Sequence, residues 1–327
     1  MSTPIVRNPR ADAQALLPTG HEARVLEPSP PANTDPDWFA DDPTDPAGAT
    51  GRLVSPTPDG EITWYELGAG DPAIATHAHD HWLVDRPLAS LPEGFASTRD
   101  ALHQVAFFAL APKRFAVTGK LGLRWTRGGF GTPFYATNGG DEQVRVERDL
   151  LVVQSGDEVR WIRPTNLAGA CEFLAIAFRE AWFDGFHDPP APAAPDAPLH
   201  IDGEAADALA DWFGFATAVL EQLRRTAGAT DVGRVQLWPE HFDPAVELGD
   251  ADAGHRASYG ASPGDDAHAE PYLFVAAWGD IDRAEPYWND ATFNGASLSY
   301  QELLGADDPA TAALDFLRRG HALLTAA

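Results

Sequence analysis

Proline divides this chain before any other residue does. Of its 28 prolines, 11 fall within residues 1–60, in stretches such as Pro28-Ser-Pro-Pro31 and Asp41-Asp-Pro-Thr-Asp-Pro46. Each proline fixes φ and removes a backbone donor, so this arm is expected to be extended, without long helices or central strands. Trp38 and Phe39 are its candidate anchor points. A second break, Phe186-His-Asp-Pro-Pro-Ala-Pro-Ala-Ala-Pro-Asp-Ala-Pro198, has the composition of a semi-rigid linker. The expected organisation is therefore an arm (1–60), a first half (61–186), a linker (187–198) and a second half (199–327). No internal repeat is visible.

Helical periodicity marks four segments. Ser97 with Asp100 three positions on starts the first, whose apolar stripe is Leu102, Val105, Ala106 and Ala109, with a stop near Ala111-Pro112. Thr165 starts a second, striped by Leu167, Cys171, Leu174 and Phe178. After Asp202 comes a longer one through Leu209, Trp212, Phe213, Ala216, Leu220 and Leu223. Asp308-Pro309 opens the last, a cap followed by proline at the first helical position. Strand-like runs lie between them: 120–126, then a Gly-rich turn at 128–133, then 143–147, 150–154 and 158–162. The second half adds 234–238, 245–248, 256–259 and 272–278. Strands clustered in runs with helices around them predict an α+β fold. Its antiparallel or mixed sheets would carry packed helices, with the two halves in one compact unit.

Charge narrows the function classes. Against 49 acidic residues stand 23 basic ones, a formal charge of −26. Such a field repels phosphate backbones and anionic headgroups, so neither nucleic acid nor a membrane is expected as a partner. Only two bases are lysines, and Asp outnumbers Glu 32 to 17. GC-rich codon usage explains that bias, and adaptation to high salt is the other explanation. The single cysteine, Cys171, rules out an intramolecular disulfide and multi-cysteine metal sites. No apolar run reaches the ~20 residues of a span, and the N-terminus lacks a signal-peptide core. A cytoplasmic, soluble protein is expected.

Three constellations carry candidate chemistry. Thr76-His-Ala-His-Asp-His81 falls one residue short of the metallo-β-lactamase signature; read as a helix, it makes His77 and His81 i, i+4 neighbours able to chelate a divalent metal. Two surface histidines share the same spacing, and metal binding is the minor reading. Leu237-Trp-Pro-Glu-His-Phe-Asp243 must leave its strand at Pro239, exposing Glu240, His241 and Asp243 at a sheet end near Tyr259 and the Ser262–Asp266 turn. A histidine beside two carboxylates suits proton transfer. Arg124-Trp-Thr-Arg127, leading into the Gly-rich turn, offers guanidinium forks to an anion. No phosphate-loop, nucleophile-elbow, zincin or kinase motif is present. Cys171, on an apolar helix stripe, reads as a buried structural thiol.

Several stretches are familiar as a set. They are Thr98–His103, Thr118–Trp125, Gly128–Pro133, Leu237–Asp243, Tyr259–Asp265, Glu270–Val275 and Phe293–Leu298. This ensemble, spanning roughly residues 60–325, resembles a group of uncharacterised proteins of GC-rich actinobacteria. The group has no established activity, so the resemblance transfers no site residue. It favours the codon explanation of the acidity.

The sequence-level expectation is binding of a small polar or anionic metabolite between residues 124–134 and 238–243. Arg124 and Arg127 would supply charge, Trp125, Trp238 and Tyr259 contact surface, and His241, Glu240 and Asp243 proton exchange. The alternatives are a metal-dependent hydrolase using His77 and His81, and a non-catalytic interaction module. Neither a cofactor nor an oligomeric state follows from the sequence.

Overall fold

The computed structural model describes residues 5–7 and 88–326, apart from residues 127, 134, 138–139, 156–157, 184, 187–188, 225, 227 and 234. Within them, two antiparallel sheets and their helices share one apolar core, an α+β arrangement. The first sheet contains β1 (Ile5–Arg7), β2 (Arg124–Thr126), β3 (Gly129–Gly131), β4 (Tyr135–Thr137), β5 (Gly140–Glu147), β6 (Leu150–Ser155) and β7 (Glu158–Ile162). Its order is β1-β7-β6-β5-β3-β2, with β4 also paired to β5. The second is a meander in chain order of β8 (Gln236–Trp238), β9 (Asp243–Leu248), β10 (Ala257–Ser262), β11 (Tyr272–Ala277) and β12 (Gly295–Ser299).

The sheets meet edge to edge. Leu123 and Leu237 exchange two 2.8 Å backbone hydrogen bonds, tying the residue before β2 to β8. That pairing also explains a proline in β9. Leu237 sits opposite Pro244, yet its own N–H and C=O are committed to Leu123, so no ladder bond is lost at the proline.

Helix α4 (Gly203–Arg224) lies over the junction and packs on β2 and β3 of one sheet and on β9 and β10 of the other. The expected stripe of Leu209, Trp212, Phe213, Ala216, Leu220 and Leu223 is buried throughout. Asp202 accepts the amides of Glu204 and Ala205 and so opens the helix. Flanking α4 are α1 (Phe95–Val105) and α6 (Pro309–Thr325), the latter preceded by the short α5 (Tyr300–Leu304). The start of α6 is as the sequence implies, with the Asp308 carboxylate accepting from Ala310 and Thr311.

Some elements differ from expectation. The first helix does not stop before Pro112. It passes through a π-helical segment (Ala106–Leu110) into α2 (Ala111–Thr118), with Pro112 in the first turn. Proline lacks the N–H that would serve the Phe108 carbonyl in α-helical register, and the Cys171 thiol donates to that carbonyl instead, at 3.4 Å. The second helix, α3 (Leu167–Phe173), is capped by Asn166 and is shorter than its stripe suggested. Residues 129–131, expected in a turn, form β3. A Cβ on Gly129 would lie 2.2 Å from the Val146 carbonyl oxygen, and one on Gly131 2.5 Å from that of Val144. The glycines therefore permit close strand approach, and Gly128, at φ 66°, makes the turn. The Pro/Ala-rich segment is docked: Gln104 bonds Ala191 and Ala193, and Leu199 bonds Thr165.

Candidate functional site

The second sheet buries one face and opens the other. Val246, Leu248, Tyr259, Ala261, Leu273 and Val275 point into the core. The alternate residues Asp243, Ala245, Glu247, Ser258, Ser262, Tyr272, Phe274 and Ala276 line a cavity of about 1080 Å³. Its walls are α1 (Arg99, Asp100, His103, Gln104), the docked Pro189–Ala191 segment, the β8–β9 turn, the β10–β11 turn and Thr292–Phe293. This volume accommodates a small organic molecule.

Local strain shapes the β8–β9 turn. Trp238 pairs with Asp243 across it, and the Phe242 amide donates to the Trp238 carbonyl at 2.7 Å. Phe242 adopts φ 57°, a left-handed conformation costing a bulky residue about 1–2 kcal/mol. Edge-on contacts with Phe130 and Phe213, at 4.9 and 5.2 Å, hold its ring in the core. On its other side His103 stacks at 5.1 Å and 5°. The His103 Nε2–H donates to the Pro239 and Glu240 carbonyls, at 3.0 and 3.1 Å, because both partners are acceptors only. Burial lowers the pKa of this ring to about 4, so it is neutral near pH 7.

The turn so held presents three titratable groups. Glu240 Oε1 and His241 Nε2 are 3.3 Å apart, with the His241 side chain half exposed. Asp243 is only 7% exposed, and its Oδ1 has no hydrogen-bond partner. Burial raises its carboxyl pKa to about 6; His241 opposes the rise, and the negative charges of Glu240 and Asp265 add to it.

At the same end of the sheet, in the β10–β11 turn, Asp265 accepts the Tyr272 hydroxyl at 2.7 Å and the amides of Ala267 and His268 at 2.8 Å. Although burial opposes it, these bonds bring the Asp265 pKa below the usual carboxylate range. His268 lies against the Tyr272 ring at 4.2 Å, with Nε2 3.3 Å from Asp290. Among the described residues, six carboxylates line the cavity: Asp100, Glu240, Asp243, Glu247, Asp265 and Asp266. Arg99 is the one arginine or lysine in the lining among the described residues, and it bonds Asp100 and the Ala269 carbonyl. Among the described residues, no group of three or more His, Cys, Asp or Glu is placed to hold a metal ion.

The sequence-predicted site residues separate accordingly. Trp238, Glu240, His241 and Asp243 line the cavity together. Arg124 and Trp125 do not, although their strand β2 adjoins β8 through Leu123 and Leu237. Trp125 is buried and donates from Nε1 to the Ala210 carbonyl of α4 at 3.0 Å. Tyr259 faces the opposite side of β10, fully buried, its ring 6.4 Å from that of His321. Arg127, His77 and His81 lie outside the described residues. Not expected from sequence were Tyr272, Phe274 and Phe293, Arg99 and His103 on α1, and the proline segment. Alternation of Tyr272 and Phe274 with the more deeply buried Leu273 and Val275 is the signal that identifies two of them. Comparison of the chain with protein-family models, with curated proteins and with solved structures gave no match.

Proposed function

We propose that the chain binds a small polar molecule in this cavity and exchanges a proton with it through Asp243. The observation carrying this reading is Asp243, a cavity-lining residue whose carboxyl is buried and whose Oδ1 has no hydrogen-bond partner among the described residues. Leaving such a group without a partner costs about 1–3 kcal/mol, which a ligand donor would recover. A carboxyl titrating near neutral pH is suited to both accept and return a proton. The adjacent Glu240–His241 pair, with His241 half exposed, gives that proton an exit to water. Of polar and anionic ligands, six lining carboxylates against one paired arginine favour the polar class. The test is a screen of polar metabolites by thermal unfolding, run on the wild type and on Asp243→Asn. Compounds that stabilise the wild type should lose most of their shift in the variant. Equal shifts in both proteins would place binding elsewhere and end the reading.

A further inference from the structure

Resting on that reading, we infer that the ligand is a protonated primary or secondary amine, its N–H groups received by Asp243 and its body laid on the aromatic row Tyr272–Phe274–Phe293. Three independent observations converge on this class. The first is the unsatisfied atom: among the described residues none donates to the buried Asp243 Oδ1, and a carboxylate is completed only by a donor. A quaternary ammonium carries no such hydrogen.

The second is what surrounds that oxygen. Among the described residues, charges acting on Asp243 include those of Glu240 and Asp265, both acidic, and His241. Arg99 is already spent on Asp100, and Glu247 is neutralised by Arg256 at 2.8 Å. An anion entering here meets a net negative wall, whereas an ammonium meets its complement.

The third is the floor. Gly260 faces the cavity side of β10, and a Cβ there would lie 2.3 Å from Phe274 Cζ, so the Phe274 ring lies across the strand at the glycine. Tyr272 and Phe293 each sit 6.2 Å from it. Such ring faces attract cations and bury the apolar carbons attached to them.

Benzylamine, benzyl alcohol and benzoate share one ring and differ in the group presented, so they separate the possibilities. Each would be titrated into the full chain at about pH 7.5, where Asp243 is mostly ionised. Benzylamine should bind about tenfold or more tighter than benzyl alcohol, with benzoate weakest. Asp243→Asn should bring benzylamine down to the level of the alcohol, and Phe274→Ala should weaken it independently. Should Asp243→Asn fail to fold, undiminished benzylamine affinity in Phe274→Ala would overturn the assignment. Benzyl alcohol or benzoate binding as tightly as the amine overturns the amine class and leaves the cavity reading standing. Equal benzylamine affinity in wild type and Asp243→Asn overturns it as well. If none of the three binds, the amine assignment falls, and the metabolite screen on wild type and Asp243→Asn decides the cavity reading separately.

Discussion

Asp243 and His103 are neighbours of one turn whose protons respond to folding in opposite directions. The folded pKa of Asp243 is raised from 3.8 to about 6, so the folded state holds a proton that the unfolded chain has released across that window. Its contribution to stability is fully present below pH 3.8 and is lost as pH rises through 6. His103 is lowered from 6.5 to about 4, so between those values the unfolded chain is the one that binds the proton. Its contribution is present above pH 6.5 and is lost as pH falls through 4. Each of these changes is worth on the order of 3 kcal/mol, and over most of the shared window the two offset each other. Difference profiles against the wild type should separate them. Asp243→Asn should stabilise the protein near pH 7 by about that amount, with the gain vanishing below about pH 4. His103→Gln keeps a donor for the two carbonyls and removes the titration, so it should lose less stability than the wild type on acidification. Denaturant melts from pH 4 to 7.5 read both slopes, and a pH-independent difference in either variant refutes the assignment. At the same scale Cys171 is silent, its thiol pKa pushed up to about 11 by burial.

Among the elements, two glycines set strand approach in ways that mutation distinguishes. On Gly131 a Cβ would meet the Val144 carbonyl oxygen and the Arg145 Cβ, both at 2.5 Å, and neither can move without shifting β5. Gly131→Ala should therefore destabilise the fold by about 1–3 kcal/mol. On Gly260 the obstacle is mainly the far end of the Phe274 side chain, which can swing. Gly260→Ala should cost less stability and should push Phe274 into the cavity, weakening benzylamine. Chemical denaturation and ligand titration of both variants check the contrast, which fails if Gly260→Ala is the more destabilising. The same glycines show where sequence reading ran out. Strands β5, β6, β7, β9, β10 and β11 and the caps of α4 and α6 were legible, because alternation and cap chemistry are local signals. Strand β3 was not, because Gly-Phe-Gly reads as a turn until the partner backbone is seen. Strand β12 is short and rich in small residues, with no apolar run to mark it. At the cavity, Glu240, His241 and Asp243 were legible because Pro239 forces the chain out of its strand. Tyr259 lies on the other face of β10: Ser258 and Ser262 mark the open face, so by strand parity Tyr259 and Ala261 face the core. The contribution of α1 was invisible, since only tertiary packing brings His103 to the Pro239 carbonyl.

For the whole molecule the governing quantity is its charge. With 49 acids against 23 bases, at least 26 carboxylates have no base to pair with one to one. Their mutual repulsion acts against compactness, and salt weakens it, the screening length falling from about 30 Å at 0.01 M to about 3 Å at 1 M. Whether the fold depends on that screening turns on the core. It is continuous across both sheets, with α4 over their junction, and it fully buries Trp212, Phe107, Phe108, Phe130, Phe213, Phe215 and Phe242. If codon usage is the origin of the acidity, a core of that size should hold without salt. The chain should accordingly remain folded at about 0.01 M salt and gain a few degrees in Tm towards 0.5 M as repulsion is screened. Circular dichroism melts along a sodium chloride series decide the matter. A folded protein at the lowest salt fits the codon explanation; loss of near-ultraviolet structure there, restored by salt, would mean that the acidity is an adaptation the fold requires.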